Sequence, residues 1–354
     1  MKNFYNYLVA IFLIGVITIP LHNANAGNKD RAGQAGAGEL LINPWAGSSG
    51  WGGVNVANTK GLESIYNNIA GLAFTAKTEL IFANTSWMKG ADINLMSFGL
   101  SQRVGDAGVI GLSVMSMNFG DIDIRTVDQP EGGIGKFSPR YMNISIAYAK
   151  AFSNSIYGGI NFKIITESIA DANAQGMAID AGIQYVTGDL ENIKFGISLR
   201  NVGPKMGFKG DGYSLSTAIP GQTNQFTMTQ RGMAFELPTQ LNIGAAYDFL
   251  FDKSRFTLAG NFASNSFTKD QFMLGGEFSF RNIVLLRAGY TYEEGIYADV
   301  TDPARTNANS GFSGGLTIQV PLNKDNDSVL GIDYAYRPTN QFSTTHSIGI
   351  RFTL

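Results

Sequence analysis

From about Lys77 onward the chain alternates apolar residues with polar or small ones, in segments of about ten residues. In residues 142–148 (MNISIAY) the even positions are apolar and the odd positions are polar or small. A period of two predicts β-strands with one apolar face and one face that can contact water. The segments with this pattern predict about fourteen strands, near 77–87, 91–103, 108–118, 140–151, 155–168, 176–187, 192–201, 233–249, 255–266, 270–280, 283–293, 311–320, 328–337 and 344–354.

The connections between these segments alternate between tight turns and loops that are often longer. The long loops lie near 119–139, 202–232 and 294–310. Short turns at one end and long loops at the other are typical of outer-membrane β-barrels, which have periplasmic turns and extracellular loops. An even number of strands also predicts that both mature termini lie on the periplasmic side.

Composition supports a membrane protein. Charged residues make up 15% of the chain, against about 25% in soluble domains, and there are 43 glycines, 24 phenylalanines and 14 tyrosines. Aromatic residues near strand ends fit the girdles that anchor a barrel at the lipid headgroups, although a ligand platform is an alternative. They are Trp87, Tyr141, Tyr247, Phe249, Phe251, Tyr290, Tyr292, Tyr334 and Tyr336.

The first 26 residues have the pattern of a signal peptide. Lys2 precedes an apolar run, and Ala24-Asn25-Ala26 matches a cleavage site. A transmembrane anchor is the alternative, but Pro20 interrupts the run. We therefore expect three regions: a signal peptide over 1–26, an N-terminal segment over 27–76 and a barrel over 77–354. After cleavage near Ala26, the predicted location is the cell outer membrane.

The last residues, HSIGIRFTL, resemble the C-terminal signal by which outer-membrane proteins are recognised by the barrel assembly machinery. The residues that carry this resemblance are Ser347, Gly349, Phe352 and Leu354. Closure of a barrel requires its last strand to pair with its first, so we expect this segment to form the seam.

Residues 45–74 do not have the pattern of a spanning strand. They contain Gly52, Gly53, Val56 and Ala57, then a predicted short helix from Gly61 to Asn68, then Ala70, Gly71 and Leu72. This order resembles the N-terminal region of FadL-type barrels, and most closely the PorV/PorQ branch of the type IX secretion system of Bacteroidetes. The family usually has Asn-Pro-Ala-Gly where this chain has Asn68-Ile69-Ala70-Gly71.

The resemblance implies an all-β, transmembrane antiparallel barrel of about fourteen strands whose N-terminal segment, with its small helix, plugs the lumen. It also implies a PorV-like role in protein export, with a SprA-type translocon and type IX secreted proteins as partners. The alternative function is a FadL-like channel that carries hydrophobic small molecules across the outer membrane, with the plug as its gate. Outer-membrane lipid is a partner in both cases.

Catalytic chemistry has little material in this sequence. The chain has no cysteine and two histidines, His22 in the signal peptide and His346 alone near the end. We therefore expect no enzyme, no metal site and no cofactor. The near-zero net charge, with scattered Lys and Arg, predicts no nucleic-acid binding.

Charged residues on the polar faces of the strands have two interpretations, a pore lining or a set of ion pairs that fills a narrow lumen. Their alternating signs favour ion pairs, and Glu277 and Arg287 flank one tight turn with matching parity. The set comprises Lys163, Glu167, Asp180, Lys194, Arg200, Asp248, Glu277, Arg287 and Asp333.

The loop 202–232 combines glycine, methionine, aromatic and amide residues, which suits an adaptable protein-binding surface. A solvated loop that covers the barrel mouth is the alternative. The candidate partner-binding residues are Met206, Phe208, Tyr213, Phe226 and Met228.

Overall fold

The computed structural model describes residues 29–218, 224–299, 301–302, 305–323, 328–340 and 344–354. The predicted signal peptide lies outside these residues, so it stays a prediction. No helix in the described part of the chain is both long and apolar enough to cross a membrane.

Fourteen antiparallel strands form one closed barrel in chain order, which confirms the predicted fold class. The first strand pairs with the last, from Glu79 with Thr353 to Ser86 with His346. The strands are β1 (Thr78–Trp87), β2 (Ile93–Arg103), β3 (Val109–Asn118), β4 (Arg140–Ala151), β5 (Ile156–Ile169), β6 (Ala172–Thr187), β7 (Ile193–Val202), β8 (Gln240–Leu250), β9 (Ser254–Asn265), β10 (Gln271–Phe280), β11 (Val284–Glu293), β12 (Phe312–Asn323), β13 (Ser328–Arg337) and β14 (Thr345–Thr353).

Each predicted segment overlaps one of these strands, and the starts of two strands differ by four residues or more from the prediction. β6 begins at Ala172 because its first residues pair with β5 and with a two-residue strand, Phe208–Lys209, in the following loop. β8 begins only at Gln240, after Pro238, since proline cannot donate to a β-ladder.

The wall has its apolar side chains outside and its polar side chains inside. In β5, Ile160 and Ile164 are 59% and 43% exposed, whereas Asn161 and Lys163 are 1% and 3% exposed. This inverted burial is expected where lipid rather than water contacts the outer face. Most of the predicted girdle aromatics are on this outer face, but Tyr141 is buried and Trp87 packs against an internal cluster, because both have the inward parity of their strands.

Several short elements are not part of the barrel wall. The 3-10 helices are Lys29–Arg31, Gly38–Leu41, Gly61–Glu63, Ile69–Phe74, Gly105–Ala107 and Asp211–Tyr213, and the one-turn α-helices are α1 (Ala46–Ser49) and α2 (Ser64–Asn67). The predicted helix over 61–68 is thus a 3-10 turn followed by an α turn. Two small hairpins, Ile122–Asp123 with Lys136–Phe137 and Ser214–Ala218 with Gln225–Thr229, lie in the long loops.

The N-terminal segment threads the lumen from one end to the other. Arg31 pairs with Glu236 at the end with the long loops, and Thr78 begins β1 at the end with the short turns. The described chain therefore starts at the long-loop end, whereas Leu354 lies at the short-turn end. The predicted mature start after Ala26 lies outside the described residues, so the expectation that both mature termini share one side stays a prediction. Strand parity itself fixes only where the first and last strands begin and end.

Candidate functional site: a plug between two chambers in the lumen

Residues 37–75, which we call the plug, fill the middle of the lumen. Trp45, Val54, Leu62 and Leu72 are each at most 1% exposed, and they pack against apolar side chains of the inner wall. Burial of this apolar surface holds the plug in place through the hydrophobic effect. The plug is therefore a packed internal core rather than a loose lumen segment.

The inner wall admits the plug because glycine occurs where the two backbones touch. A Cβ added to Gly196 would lie 2.5 Å from the Val56 carbonyl oxygen, and one added to Gly315 would lie 2.9 Å from the Gly50 Cα. Only glycine allows such a close approach without displacement of the plug. Other wall glycines in direct contact with the plug are Gly99, Gly111, Gly159, Gly182, Gly244 and Gly289.

The residues of the predicted plug motif all lie in the lumen. Gly52 and Gly53 have φ angles of +69° and +89°, a left-handed conformation that favours glycine. Val56, Ala57, Ala70 and Leu72 are buried, and Gly71 packs against the Thr59 carbonyl.

Asn68 ties the plug to itself and to the wall. Its Nδ2 donates to the carbonyl oxygens of Val56 and Ile183, both at 3.0 Å, and its Oδ1 accepts from the Ala70 amide at 3.2 Å. The Asn68 amide is thus satisfied on both sides, as a buried polar group requires.

A cluster of charges attaches the plug to the seam of the barrel. The Arg351 guanidinium of β14 lies 3.1 Å from Glu63 of the plug, 2.9 Å from Asp333 and 3.9 Å from Glu79. Glu79 also accepts the Leu62 amide at 2.7 Å. Burial raises the pKa of Glu63 to about 7, although Arg351 opposes the shift.

The inner chamber, on the short-turn side of the plug, has a volume of about 250 Å³. Plug residues Asn55 and Lys60 and wall residue Arg255 contribute to its lining. The Glu277 carboxylate lies 2.7 Å from both Arg255 and Arg287, which confirms the facing of Glu277 and Arg287 expected from parity. Its wall charges are therefore compensated by ion pairs.

The outer chamber, on the long-loop side of the plug, also has a volume of about 250 Å³. Its lining combines apolar and polar side chains in similar amounts. The apolar ones include Ile42, Tyr66, Trp87, Met273 and Phe312, and the polar ones include Arg200, Gln240, Asn242, Asn265, Gln271, Glu293 and Arg337.

The described strands pair continuously around the barrel, with register shifts only between Ile179 and Ala181 and between Pro321 and Asn323. In particular, β3 pairs over ten residues with β2 and over ten with β4. Among the described residues, the ladders leave no gap in the wall. A path from one side to the other therefore leads past the plug.

The candidate partner-binding residues do not form a single surface. Met206 is 1% exposed, because it packs against Gly176 of β6, and Phe208 stacks with Phe235 at 5.9 Å. Met206, Phe208 and Tyr213 instead line an open groove of about 700 Å³ in the loop 203–239. Phe226 and Met228 lie on the exposed hairpin of the same loop.

The four residues of the predicted assembly signal lie on the seam strand or next to it. Ser347 faces inward and accepts a hydrogen bond from Thr85 Oγ1 at 2.7 Å. Gly349 pairs with Ala83 and approaches Ala46 of the plug, whereas Phe352 and Leu354 are exposed on the outer side. His346 is held between Tyr334 and Thr344 on the outer wall.

Comparison with known proteins shows the fold. No protein-family model matches the chain, and no curated protein sequence matches it. The Pseudomonas putida toluene transporter TodX is similar in structure, at 12% identity and a TM-score of 0.54, over 87% of this chain and 96% of TodX. The CymD monoaromatic hydrocarbon channel is similar at 13% identity and a TM-score of 0.53, over 87% of this chain and 96% of CymD. The chain thus has the fold of FadL-type outer-membrane barrels, and the type IX part of the sequence resemblance stays a prediction.

Sequence reasoning missed three groups in this site: the wall glycines under the plug, the charges Glu63, Glu79 and Arg351, and Arg337. A signal for the glycines existed, because those under the plug, such as Gly196 and Gly289, have inward parity in their strands. The charge cluster joins Glu63 to a residue 288 positions away, and no local pattern indicates such a contact.

Proposed function

We propose that this chain is a FadL-type conduit of the outer membrane, which passes small molecules with a substantial apolar part and uses the plug as its gate. The observation that carries the proposal is the division of the lumen by the plug into two chambers of similar volume. Support for the substrate class comes from TodX, a toluene transporter, and CymD, a monoaromatic hydrocarbon channel, which have the same fold.

The route runs from the long-loop end, which we place outside the cell, through the outer chamber and past the plug. A substrate would meet Trp87, Met273 and Phe312 in the outer chamber and then the plug. Because the wall is paired all round in the described strands, passage requires the plug to move within the lumen. A small, partly apolar solute needs less plug displacement than a folded protein does.

A disulfide between the plug and the wall tests the gate. The Cβ of Val56 lies 3.3 Å from the Cβ position of Gly244, slightly closer than the usual disulfide spacing of about 3.5–4.5 Å. The chain has no cysteine of its own, so the pair Val56→Cys with Gly244→Cys can form only one intramolecular bridge. We expect uptake of labelled toluene into proteoliposomes to stop on oxidation and to return on reduction.

The single variants Val56→Cys and Gly244→Cys are the controls, and oxidation should leave the transport rate of each of them unchanged. Uptake that persists with the bridge closed would show that the plug is not the gate. Wild-type uptake no faster than in empty liposomes would contradict the conduit itself.

A second function, docking of proteins during export, is favoured by the hairpin Ser214–Ala218 with Gln225–Thr229. Leu215 pairs with Met228 across it, and the two side chains are 60% and 58% exposed on one face with Phe226. An exposed apolar face of this kind marks an interaction surface. The partners would be the SprA-type translocon and type IX secreted proteins that the sequence resemblance implies.

Copurification from native outer membranes in mild detergent tests this second function. We expect Leu215→Ser with Met228→Ser to lose such partners if the hairpin binds them. The control is Val127→Ser, which removes an apolar side chain that is 99% exposed from a different loop. Recovery of the same partners with the double variant would contradict hairpin docking.

A further inference from the structure

Two arginines of the outer chamber differ from the other cations that face the lumen from the wall strands. Five of those others form ion pairs at 2.5–2.9 Å, and Arg103 donates to backbone carbonyls at the end of the plug. The ion pairs join Lys163 with Asp180, Lys194 with Asp248, Arg255 and Arg287 with Glu277, and Arg351 with Asp333. Arg200 and Arg337 have no such partner in the described chain.

Arg200 is 5% exposed, and its contacts are with neutral groups. Its Nη1 donates to Gln240 Oε1 at 3.1 Å, and its Nη2 donates to the Leu40 carbonyl at 3.3 Å. The guanidinium carbon lies 3.8 Å from the ring centre of Tyr66. Its Nε is buried without a hydrogen-bond partner, and none of the described contacts of the group neutralises its charge.

Arg337 lies at the long-loop end of β13, with the inward parity of Asp333 and Ala335, and lines the same chamber. It forms no ion pair or hydrogen bond within the part of the chain that the structure describes. A guanidinium cannot lose its proton in a protein, so burial cannot neutralise either arginine.

The lining also contains one acidic residue, Glu293. Its carboxylate is hydrogen-bonded to neutral side chains and not to either arginine. Glu293 accepts from Gln271 Nε2 at 2.7 Å, from Thr306 Oγ1 at 2.5 Å and from Asn307 Nδ2 at 3.4 Å. It forms no ion pair with Arg200 or Arg337. With two guanidinium groups and one carboxylate, the lining has an excess of one positive charge, which an incoming anion could neutralise.

We propose that the outer chamber binds a small organic carboxylate, with its carboxyl group between Arg200 and Arg337 and its apolar body against Tyr66, Trp87 and Met273. This proposal deepens the proposed conduit function, since it names the substrate class of the same lumen. Guanidinium groups bind carboxylates through paired, charge-assisted hydrogen bonds. The chamber volume of about 250 Å³ suits a compact ligand, such as an aromatic acid.

The neighbouring amides fix the geometry of this site. Gln240 Nε2 donates to Asn265 Oδ1 at 2.8 Å, and Asn242 Nδ2 donates to Gln240 Oε1 at 3.0 Å, the same oxygen that accepts from Arg200. This chain of hydrogen bonds orients Arg200 before any ligand arrives. A preorganised guanidinium loses less conformational entropy on binding than a free one.

Calorimetric titration of the purified full-length protein in neutral detergent tests the proposal. The probes are benzoate, its neutral counterpart benzyl alcohol, and inorganic phosphate. We expect benzoate to bind at least about tenfold more tightly than benzyl alcohol, since a charge-assisted hydrogen bond contributes about 1.5–3 kcal/mol. Equal binding of both, or binding of phosphate alone, would overturn the proposal.

Substitutions identify the two side chains. Arg200→Gln and Arg337→Gln should each raise the Kd for benzoate about tenfold or more and leave that for benzyl alcohol unchanged, whereas Arg337→Lys should retain part of the affinity. The control Arg125→Gln removes the same charge from an exposed loop at the same end of the barrel and should change neither Kd. If a glutamine variant fails to fold, the comparison of benzoate with benzyl alcohol in the wild type still decides.

Uptake measurements separate this site from the conduit function. Benzoate binding that depends on both arginines, without uptake into proteoliposomes, would leave the anion site intact and contradict the conduit. Toluene uptake with no preference for benzoate over benzyl alcohol in binding would leave the conduit intact and contradict the anion site.

Discussion

The two chambers of the lumen have the same volume but differ in how their charges are compensated. In the inner chamber, Arg287 and Arg351 are bound to carboxylates at 2.7–3.1 Å, and Arg351 also attaches the plug. In the outer chamber, Arg200 and Arg337 contact neutral groups or no partner among the described residues. These two inner arginines therefore serve the stability of the protein, whereas the two outer ones are available to a ligand.

The largest expected effect comes from the inner charge cluster. Arg351→Met would leave the buried carboxylates Glu63, Glu79 and Asp333 without their shared cation. We expect a loss of about 3–5 kcal/mol in the free energy of unfolding, because breaking a buried ion pair leaves uncompensated charge. Urea unfolding in lipid vesicles, followed by tryptophan fluorescence, measures it, and two of the three tryptophans, Trp45 and Trp51, belong to the plug.

Arg281→Met is the control for this experiment, since Arg281 lies in an exposed turn at the same end of the barrel. It should change the free energy of unfolding by less than about 0.5 kcal/mol. If Arg351→Met were equally mild, the charge cluster would not be what attaches the plug.

The pH dependence of stability tests Glu63 of the same cluster. Its pKa of about 7 in the folded protein is above its ordinary value of 4.5, so folding favours the protonated form. Its contribution is therefore fully present below pH 4.5 and is lost as the pH rises through 7, by at most on the order of 3 kcal/mol. Glu63→Gln should flatten this fall in urea midpoints between pH 4.5 and 8.

Glu131→Gln, which removes a carboxylate from an exposed loop, is the matched control and should keep the wild-type pH profile. A wild-type profile for Glu63→Gln as well would mean that Glu63 is ionised throughout this range.

Contact between the backbone of the plug and the wall should have an intermediate effect. In Gly196→Ala the added Cβ would lie 2.5 Å from the Val56 carbonyl oxygen and 2.7 Å from the Ala57 Cα. Neither atom can move without displacing the plug, so we expect a loss of about 1–3 kcal/mol in the free energy of unfolding. Gly260→Ala is the control, because its nearest neighbour would be a carbonyl oxygen at 3.8 Å. Equal stability of the two variants would contradict close packing at Gly196.

The strands were predictable from sequence because each carries its own signal. The alternation in β4 and β5 follows from lipid on one side and a polar lumen on the other, so local pattern and global fold agree. The same parity correctly paired Glu277 with Arg287 across a tight turn. These inferences require only neighbours in the chain or in a hairpin.

The plug contacts were not predictable in the same way, because they join residues far apart in sequence. Nothing near Glu63 indicates Arg351, and nothing near Arg337 indicates that it shares a chamber with Arg200. Met206 was assigned to an exposed loop on composition, yet it fills the space beside Gly176. In each case a tertiary contact outside the reach of local pattern decided where the side chain lies.

The smallest expected effect, and the sharpest contrast with Arg351, comes from Arg337. Arg337→Gln removes a guanidinium that has no ion pair among the described residues, so no carboxylate loses its partner. We expect the free energy of unfolding without ligand to change by less than about 1 kcal/mol, and to rise rather than fall, because the charge is uncompensated. Benzoate at saturating concentration should then raise the urea midpoint of the wild type but not that of Arg337→Gln, since a ligand stabilises only a folded state that binds it. A loss of unfolding free energy as large as that expected for Arg351→Met would mean that Arg337 stabilises the fold. The arginines of the two chambers would then have the same role, and the outer ones would not be reserved for a ligand.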